Sequence, residues 1–428
     1  MAKIIIAAPP IAGELSPLLE LGRGLTGRGH QITVVTGSRF RAVAEDAGLG
    51  FTPVTGLADF DDRLLGENPE RAGLAPGPEM LNYDWIHAFV TPMPDQYAVL
   101  QQLLAQDPDQ YLISNVLWLG AFPAALGAPG LRPRRWVAVT ATPLALSSDD
   151  TTFFGPVPVG LGQEQKAANR TANAQFAMAM QPAQDHFAGV LQALGTTQPC
   201  PVFVDGIYTA PDATAALTVP GFEFERGDAP ESVHLVGTLP GSSAAGWQPP
   251  DWWADLDGSR PVVVVTQGTF ANRDLSQLVE PALVGLDGLD VTVVAALGHE
   301  AGALSVPVPP NARVAEFIPF DALLPKASAY ITNGGFGGTQ QAIAAGVPVI
   351  VAGLTEDKPA VAARVAYHGL GISLQTATPA PEAVAAATES VLKDTGMHDS
   401  VRKLAQVYAA HDALHEIERL TLGGNGSL

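Results

Sequence analysis

Cysteine is almost absent from this chain: Cys200 stands alone, which excludes an internal disulfide framework and any metal site built from several cysteines. Lysine is scarce as well, six in 428 residues, and the formal net charge is −20. Nucleic-acid backbones and anionic membranes are bound through basic patches, so no nucleic acid and no membrane is expected as a partner. A phosphate held by this chain has to rely mainly on backbone amides and helix ends. Long apolar runs are also missing. The opening MAKIIIAAPP has an apolar run of about five residues before two prolines, too short for a secretory signal or a bilayer span, and a cytoplasmic location is expected. The charge-free stretch Ala327–Thr355 carries Asn333, two glutamines, Pro348 and six glycines, which reads as an α/β core segment rather than a membrane helix.

Other signatures are missing too. The histidines show no paired metal-binding spacing, so no metal site is implied. No G-x-S-x-G elbow occurs, against an α/β-hydrolase, and the first strand is not followed by G-x-G-x-x-G, against a dinucleotide oxidoreductase. Apolar residues at 47% beside 15% charged leave ample material for folded cores, and the length suits two or three domains.

What is present is α/β alternation. IIIAAP reads as a buried strand, SPLLELGRGLTGRG as a helix with Pro17 in its first turn, and QITVVTG as a second strand, a βαβ unit that implies a parallel sheet with ligands beyond its carboxyl edge. Gln110–Ser114 and Trp136–Thr140 extend the sheet, with helical periodicity between Pro94 and Ala105. From about Thr151 to Gln198 the chain is rich in Ala, Gln and Met and reads as helical, and strand-like PVFVDG and AALTVPG follow. Gly, Ser and Pro then cluster between Val236 and Trp253, as in a linker. A second series follows: PVVVVTQGT, VTVVAALG, VAEFIPF, YITNGG, VPVIVAG and GISL. The expected organisation is an acceptor-binding α/β domain over 1–235, a linker over 236–253, a donor-binding α/β domain over 254–400 and a C-terminal helix over 401–428.

The chemistry concentrates in TNGGFGGTQQAIAAGVPVIVAGLTEDKPAVAARV, Thr332–Val365. A strand ends at Thr332, a glycine-rich turn follows, and helical composition begins near Gly338. Such a turn gathers unpaired N–H groups and the positive end of a helix, a site for a pyrophosphate. TQGT at Thr266–Thr269 and Glu356-Asp357-Lys358 also follow strands and fall on the same sheet edge.

With these motifs in view, the chain resembles the nucleotide-sugar-dependent glycosyltransferases of family 1, especially their bacterial natural-product and macrolide branch. The family signature stands here as Asn333-Gly334-Gly335, Gly337-Gly338-Thr339, Ala345-Gly346-Val347-Pro348 and Asp357-Lys358-Pro359, supported by PFDALLP before it and RGLTGRGHQITVVTG near the start. The resemblance implies the α/β GT-B fold, two Rossmann-like domains facing each other across a cleft. It implies metal-independent, inverting transfer of a sugar from a UDP- or TDP-sugar, a co-substrate and not a cofactor, to a small apolar acceptor, aromatic or polyketide-like. The oligomeric state, monomer or homodimer, stays open.

Carried over position by position, the resemblance assigns the diphosphate to Thr269 and the turn Gly334, Gly335, Gly337, Gly338 and Thr339. Asn333 stands where the family usually has a phosphate-contacting histidine. Phe317 and Ile318 fall where the base packs, Gln341 at a ribose contact, and Asp357 with Lys358 where sugar hydroxyls are read. Lys358 replaces the usual glutamine, and would either partly offset the charge lost at Asn333 or contact an anionic or deoxygenated sugar differently.

The resemblance breaks at the catalytic base. The family's Gly-His-x-x-Pro turn reads Gly13-Glu14-Leu15-Ser16-Pro17 here, and the aspartate that orients the histidine falls at Ser114. Glu14 can serve as base, more readily toward an acidic phenol than an alcohol. Asp61, Asp62 and Asp149 are the alternatives. Loss of both dyad members leaves a second reading open, a non-catalytic nucleotide-sugar-binding auxiliary protein. His30 reads as a packing or capping residue. Acceptor contacts are expected from the loop aromatics: Trp85, Phe89 and Met93 in NYDWIHAFVTPMPDQY, and Phe153 with Phe154 in TPLALSSDDTTFFGP.

Overall fold

A computed structural model describes all residues except Pro76, 240–246, 269–271, Arg273, 299–302 and 424–428. Thr269 therefore lies outside the described residues. The chain divides into two compact units: Met1–Leu217 with Arg226–Leu239 and Asp412–Leu428, and Thr218–Glu225 with Pro240–His411.

The first unit is built on seven parallel strands: β1 (Lys3–Ala7), β2 (Gln31–Thr36), β3 (Gly50–Pro53), β4 (Tyr111–Asn115), β5 (Trp136–Thr140), β6 (Ala213–Ala216) and β7 (Val233–Leu235), in the order β3-β2-β1-β4-β5-β6-β7. Strands such as KIIIA and WVAVT are almost wholly buried, as a sheet covered by helices on both faces requires. The order reverses between β1 and β4, with Ala7 opposite Ser114, and the crevice of an open α/β sheet lies at such a reversal. The loop after β1 leads into helix α1 (Ala12–Gly27), which buries Leu15, Leu18, Leu19 and Leu21 and carries Pro17 in its interior, where the ring removes the i→i−4 bond to the Gly13 carbonyl.

The second unit repeats the plan with six parallel strands: β8 (Val262–Thr266), β9 (Thr292–Ala296), β10 (Ala312–Ala315), β11 (Ala329–Thr332), β12 (Val349–Val351) and β13 (Gly371–Ser373), in the order β10-β9-β8-β11-β12-β13. Its reversal lies between β8 and β11, where Thr266 faces Thr332. Segment 218–225 belongs here because Glu223 and Arg364 form an ion pair in which both side chains are buried.

Three readings change. PVFVDG is not a strand; Phe203–Thr209 is a helix with five of its seven residues buried. The 401–428 segment is not one helix: Thr395–Ala409 and Ala413–Leu422 are separate, the second capped by Asp412 through the His415 amide. The glycine turn is shorter than expected, because the helix Phe336–Ala344 already begins after Gly335.

Candidate active site

In the second unit the β8/β11 reversal places Gln267 and Asn333 side by side. The Asn333 side-chain amide donates to the Gln267 carbonyl, tying the two strand ends together. Gln267 in turn donates to the Asp274 carbonyl at 2.5 Å, and its Oε1 accepts from the amides of Leu278 and Val279, so the turn after β8 is braced from within. Nothing in the sequence marked Gln267 as such an anchor beyond its place at a strand end.

After Asn333 the backbone turns through Gly334 at φ 94°, the left-handed region that favours glycine. A Cβ there would come within 2.7 Å of Val351 Cγ1. The helix Phe336–Ala344 starts next, so its first-turn amides have no intrahelical acceptor and its dipole points positive toward the turn. This is an anion cradle made of backbone. Gly337, Gly338 and Thr339 belong to that helix, and Thr339 is buried, its hydroxyl without a hydrogen-bond partner among the described residues. Gln341 is half-buried on the same helix.

Asp357 and Lys358 open the helix Lys358–Tyr367 beyond β12. Burial pushes the Asp357 carboxyl up to about 6, with Lys358 opposing and Glu356 reinforcing the shift. Lys358 is not a lone cation: its ammonium pairs with Glu356, whose backbone sits at φ 57°. The Lys358 stem packs over Gly334 and Gly353, since a Cβ at Gly353 would meet Lys358 Cδ at 2.7 Å and the Asn333 carbonyl at 2.1 Å. Lys358 thus supports the glycine turn from behind. Phe317 is 44% exposed, whereas Ile318 points into the core; of the two, only the phenyl ring is on the surface to meet a flat ligand.

In the first unit, Glu14 stands in the first turn of α1 at the β1/β4 reversal. The Asn115 amide donates to Glu14 Oε2 at 2.6 Å. Ser114 does not take part: it is buried on the opposite face and accepts the Trp136 indole N–H at 2.9 Å. Successive strand residues face opposite ways, so a placement one residue early selected the wrong side chain. Asn115 was missed, although it ends β4 and strand alternation alone separates it from Ser114.

The alternative carboxylates are all engaged. Asp61 is bonded by the side chain and the backbone amide of Arg63, which with the Arg63 and Arg39 charges hold it down at about 2. Asp62 is buried, binds Arg39 and accepts the Ala12 amide at 2.8 Å, fixing the start of α1. Asp149 pairs with Arg170 at 2.7 Å. His30 accepts the Ala2 amide at Nδ1 and meets Glu418 at 2.8 Å through Nε2, a packing role as expected.

Trp85 and Phe89 lie on a π-helical turn, Trp85–Val90, a widened geometry that frequently marks functional segments. Their rings meet edge to face at 5.3 Å, and Trp85 also packs on Phe203 at 4.6 Å. Met93 is fully buried in the core, so it contacts no acceptor: three residues past the π-turn, it sits on the inward face. Phe153 and Phe154 pack at 4.7 Å and, with Phe176, Val204 and Ala145, line a small pocket. Phe154 is 48% exposed.

Residues 281–421 match the family model described as Erythromycin biosynthesis protein CIII-like, C-terminal domain. The chain is 34% identical to UDP-glucosyltransferase A1 of Starmerella bombicola, over 97% of this chain and 90% of that protein. It is also 34% identical to 4'-demethylrebeccamycin synthase of Lentzea aerocolonigenes, over 96% and 97% of the two chains. Among solved structures it is similar to spinosyn rhamnosyltransferase SpnG complexed with thymidine diphosphate, with a TM-score of 0.69, 20% identity and coverage of 99% and 100%. No helix among the described residues is long and apolar enough to cross a membrane.

Proposed function

The chain belongs to the nucleotide-sugar-dependent glycosyltransferases of family 1, with the GT-B fold, and from that premise we propose that it moves the sugar of a UDP- or TDP-sugar, with inversion, to a small apolar acceptor, using Glu14 as base. The relative named a UDP-glucosyltransferase supports UDP, and the thymidine diphosphate complex of a structure with the same fold supports TDP.

The observation that carries the proposal is the position of Glu14 in the first turn of α1 at the sheet reversal, where the Asn115 side-chain amide donates to its carboxylate. Asp61, Asp62 and Asp149, the other candidates, are each bound to an arginine. A carboxylate tied to a guanidinium is a poor proton acceptor. In the reaction, Glu14 takes the acceptor's proton as the acceptor oxygen bonds to the anomeric carbon. The bond from that carbon to the diphosphate oxygen breaks, and its electron pair leaves with the nucleoside diphosphate. The amides of Gly335–Gly337 and the helix end at Phe336 would stabilise the charge growing on that diphosphate. Phe317 would stack on the nucleotide base, Gln341 would reach the ribose and Asp357 the sugar hydroxyls. Trp85, Phe89, Phe153 and Phe154 would hold a flat aglycone.

The test is Glu14→Gln, assayed with UDP-glucose and TDP-glucose against a panel of flat aromatic acceptors, products being read by mass spectrometry and anomeric NMR. Transfer should fall by roughly 10²–10⁴-fold, the usual worth of a general base, with nucleotide affinity unchanged. Full turnover by Glu14→Gln overturns Glu14 as base. A wild-type chain that binds UDP-glucose but neither transfers nor hydrolyses it across the panel overturns transfer itself in favour of an auxiliary binding role.

A further inference from the structure

Asn115 is fully buried at the end of β4, and both ends of its side-chain amide are committed. Oδ1 accepts the Leu117 amide at 2.8 Å, which sets the amide's orientation and turns Nδ2 toward Glu14, 2.6 Å away. Its main chain is fixed as well: the Asn115 carbonyl accepts from the Trp118 amide, and the next amide, Val116, donates to Val139 on β5. From the other side, Asp62 holds the first amide of α1. The carboxylate and its donor are therefore presented from two rigid elements.

We propose that Asn115 is the positioning residue of the transfer, forming with Glu14 an amide–carboxylate pair; the proposal rests on Glu14 being the base. The polarity of the pair explains why two positions depart from the family pattern together. An imidazole base needs an acceptor behind it to hold its second N–H, and an aspartate supplies one. A carboxylate base has no hydrogen to give, so its partner has to be a donor. An aspartate beside Glu14 would set two carboxylates at hydrogen-bond distance, where both cannot ionise. Asn115 supplies the donor without adding charge. Asp62 and Arg39, charged groups beside this turn, are paired with each other and are left untouched by substitution at 115. During transfer the proton moves from the acceptor hydroxyl to Glu14, while Asn115 keeps its own hydrogens and holds the carboxylate in place.

The experiment follows the Glu14 carboxyl by NMR in the full chain carrying carbon-13 at glutamate side-chain carboxyls, the Glu14 signal being the one missing from Glu14→Gln. Loss of the donor in Asn115→Ala should raise the Glu14 titration midpoint by about one unit, and the like charge in Asn115→Asp, which keeps shape and volume, should raise it further. The second readout is transfer from UDP-glucose: the double variant Glu14→His with Asn115→Asp should exceed Glu14→His alone by more than about tenfold, because the imidazole then regains an acceptor. Midpoints unmoved in both Asn115 variants, or a double variant no better than Glu14→His, overturn the pairing. Full turnover by Glu14→Gln with shifted midpoints overturns the base reading and leaves the pair standing, so the two failures are told apart.

Discussion

The two sheet reversals hold different kinds of site. At β8/β11 the cradle is made of main chain: a left-handed glycine, a helix that begins straight after it, and strand ends tied by Asn333 to Gln267. At β1/β4 the proposed groups are side chains, Glu14 and Asn115, on a helix and a strand. A diphosphate looks much the same in every donor, so fixed amides serve it. An acceptor nucleophile requires a proton to move, and only a titratable side chain can receive it. Substitutions should therefore act differently at the two reversals.

The largest effect is expected at Gly335. Among the described residues a Cβ there would find only Asn333 Oδ1, at 3.9 Å, and its φ of −58° suits any residue. The chain should fold with Gly335→Val, yet the side chain would stand where a diphosphate approaches the helix end. UDP binding by calorimetry should weaken by roughly 100-fold or more, about 3 kcal/mol, with the thermal midpoint little changed. Gly334→Ala should behave otherwise, lowering the midpoint as well, since φ 94° and the contact with Val351 penalise any side chain. Retained UDP affinity in Gly335→Val would break the comparison, because the cradle would then not be made of backbone at this point.

That contrast also explains what was legible in the sequence. Glycines at a strand end report backbone geometry directly, so the turn after β11 could be read from spacing, although the helix starts two residues sooner than composition suggests. Side-chain direction in a strand has a period of two, and a one-residue error exchanged Asn115 for Ser114. Met93 followed the aromatic loop in sequence but turned inward. Long-range pairing was out of reach altogether: Glu223 lies 141 residues before Arg364, and nothing local to either residue announces that segment 218–225 belongs to the second unit.

A smaller effect distinguishes Asp357 from the amides around it, because burial raises its carboxyl toward neutrality. Its carboxyl is raised from 3.8 to about 6, chiefly by burial. The folded chain thus binds this proton more tightly than the unfolded chain. The resulting stability is complete at and below about pH 4 and is lost as pH rises toward 6, above which the buried charge carries its full cost. Asp357→Asn removes that slope. Its thermal midpoint, measured against wild type from pH 4 to 7, should gain on wild type as pH increases and level off above about 6. Parallel curves across that range would mean that Asp357 is solvated in solution and that titration does not separate it from the backbone cradle.

The smallest effect is expected at Phe154, on the acceptor side. With 48% of its surface exposed, this ring contributes little to the core, and Phe153 and Phe176 retain their own stacking at 6.4 Å without it. If an aglycone covers the exposed half, Phe154→Ala forfeits about 1 kcal/mol of apolar burial, which corresponds to roughly a five-fold rise in acceptor KM. kcat and the donor KM should stay put, because the ring touches neither the proton nor the diphosphate, and the thermal midpoint should hold as well. The KM split carries the argument. A fall in kcat with unchanged acceptor KM would place Phe154 in control of Glu14 rather than of the aglycone. A drop in thermal midpoint with no kinetic change would make the pocket it shares with Phe153 a packing feature, and recognition on this side would pass to Trp85 and Phe89 on the π-helical turn.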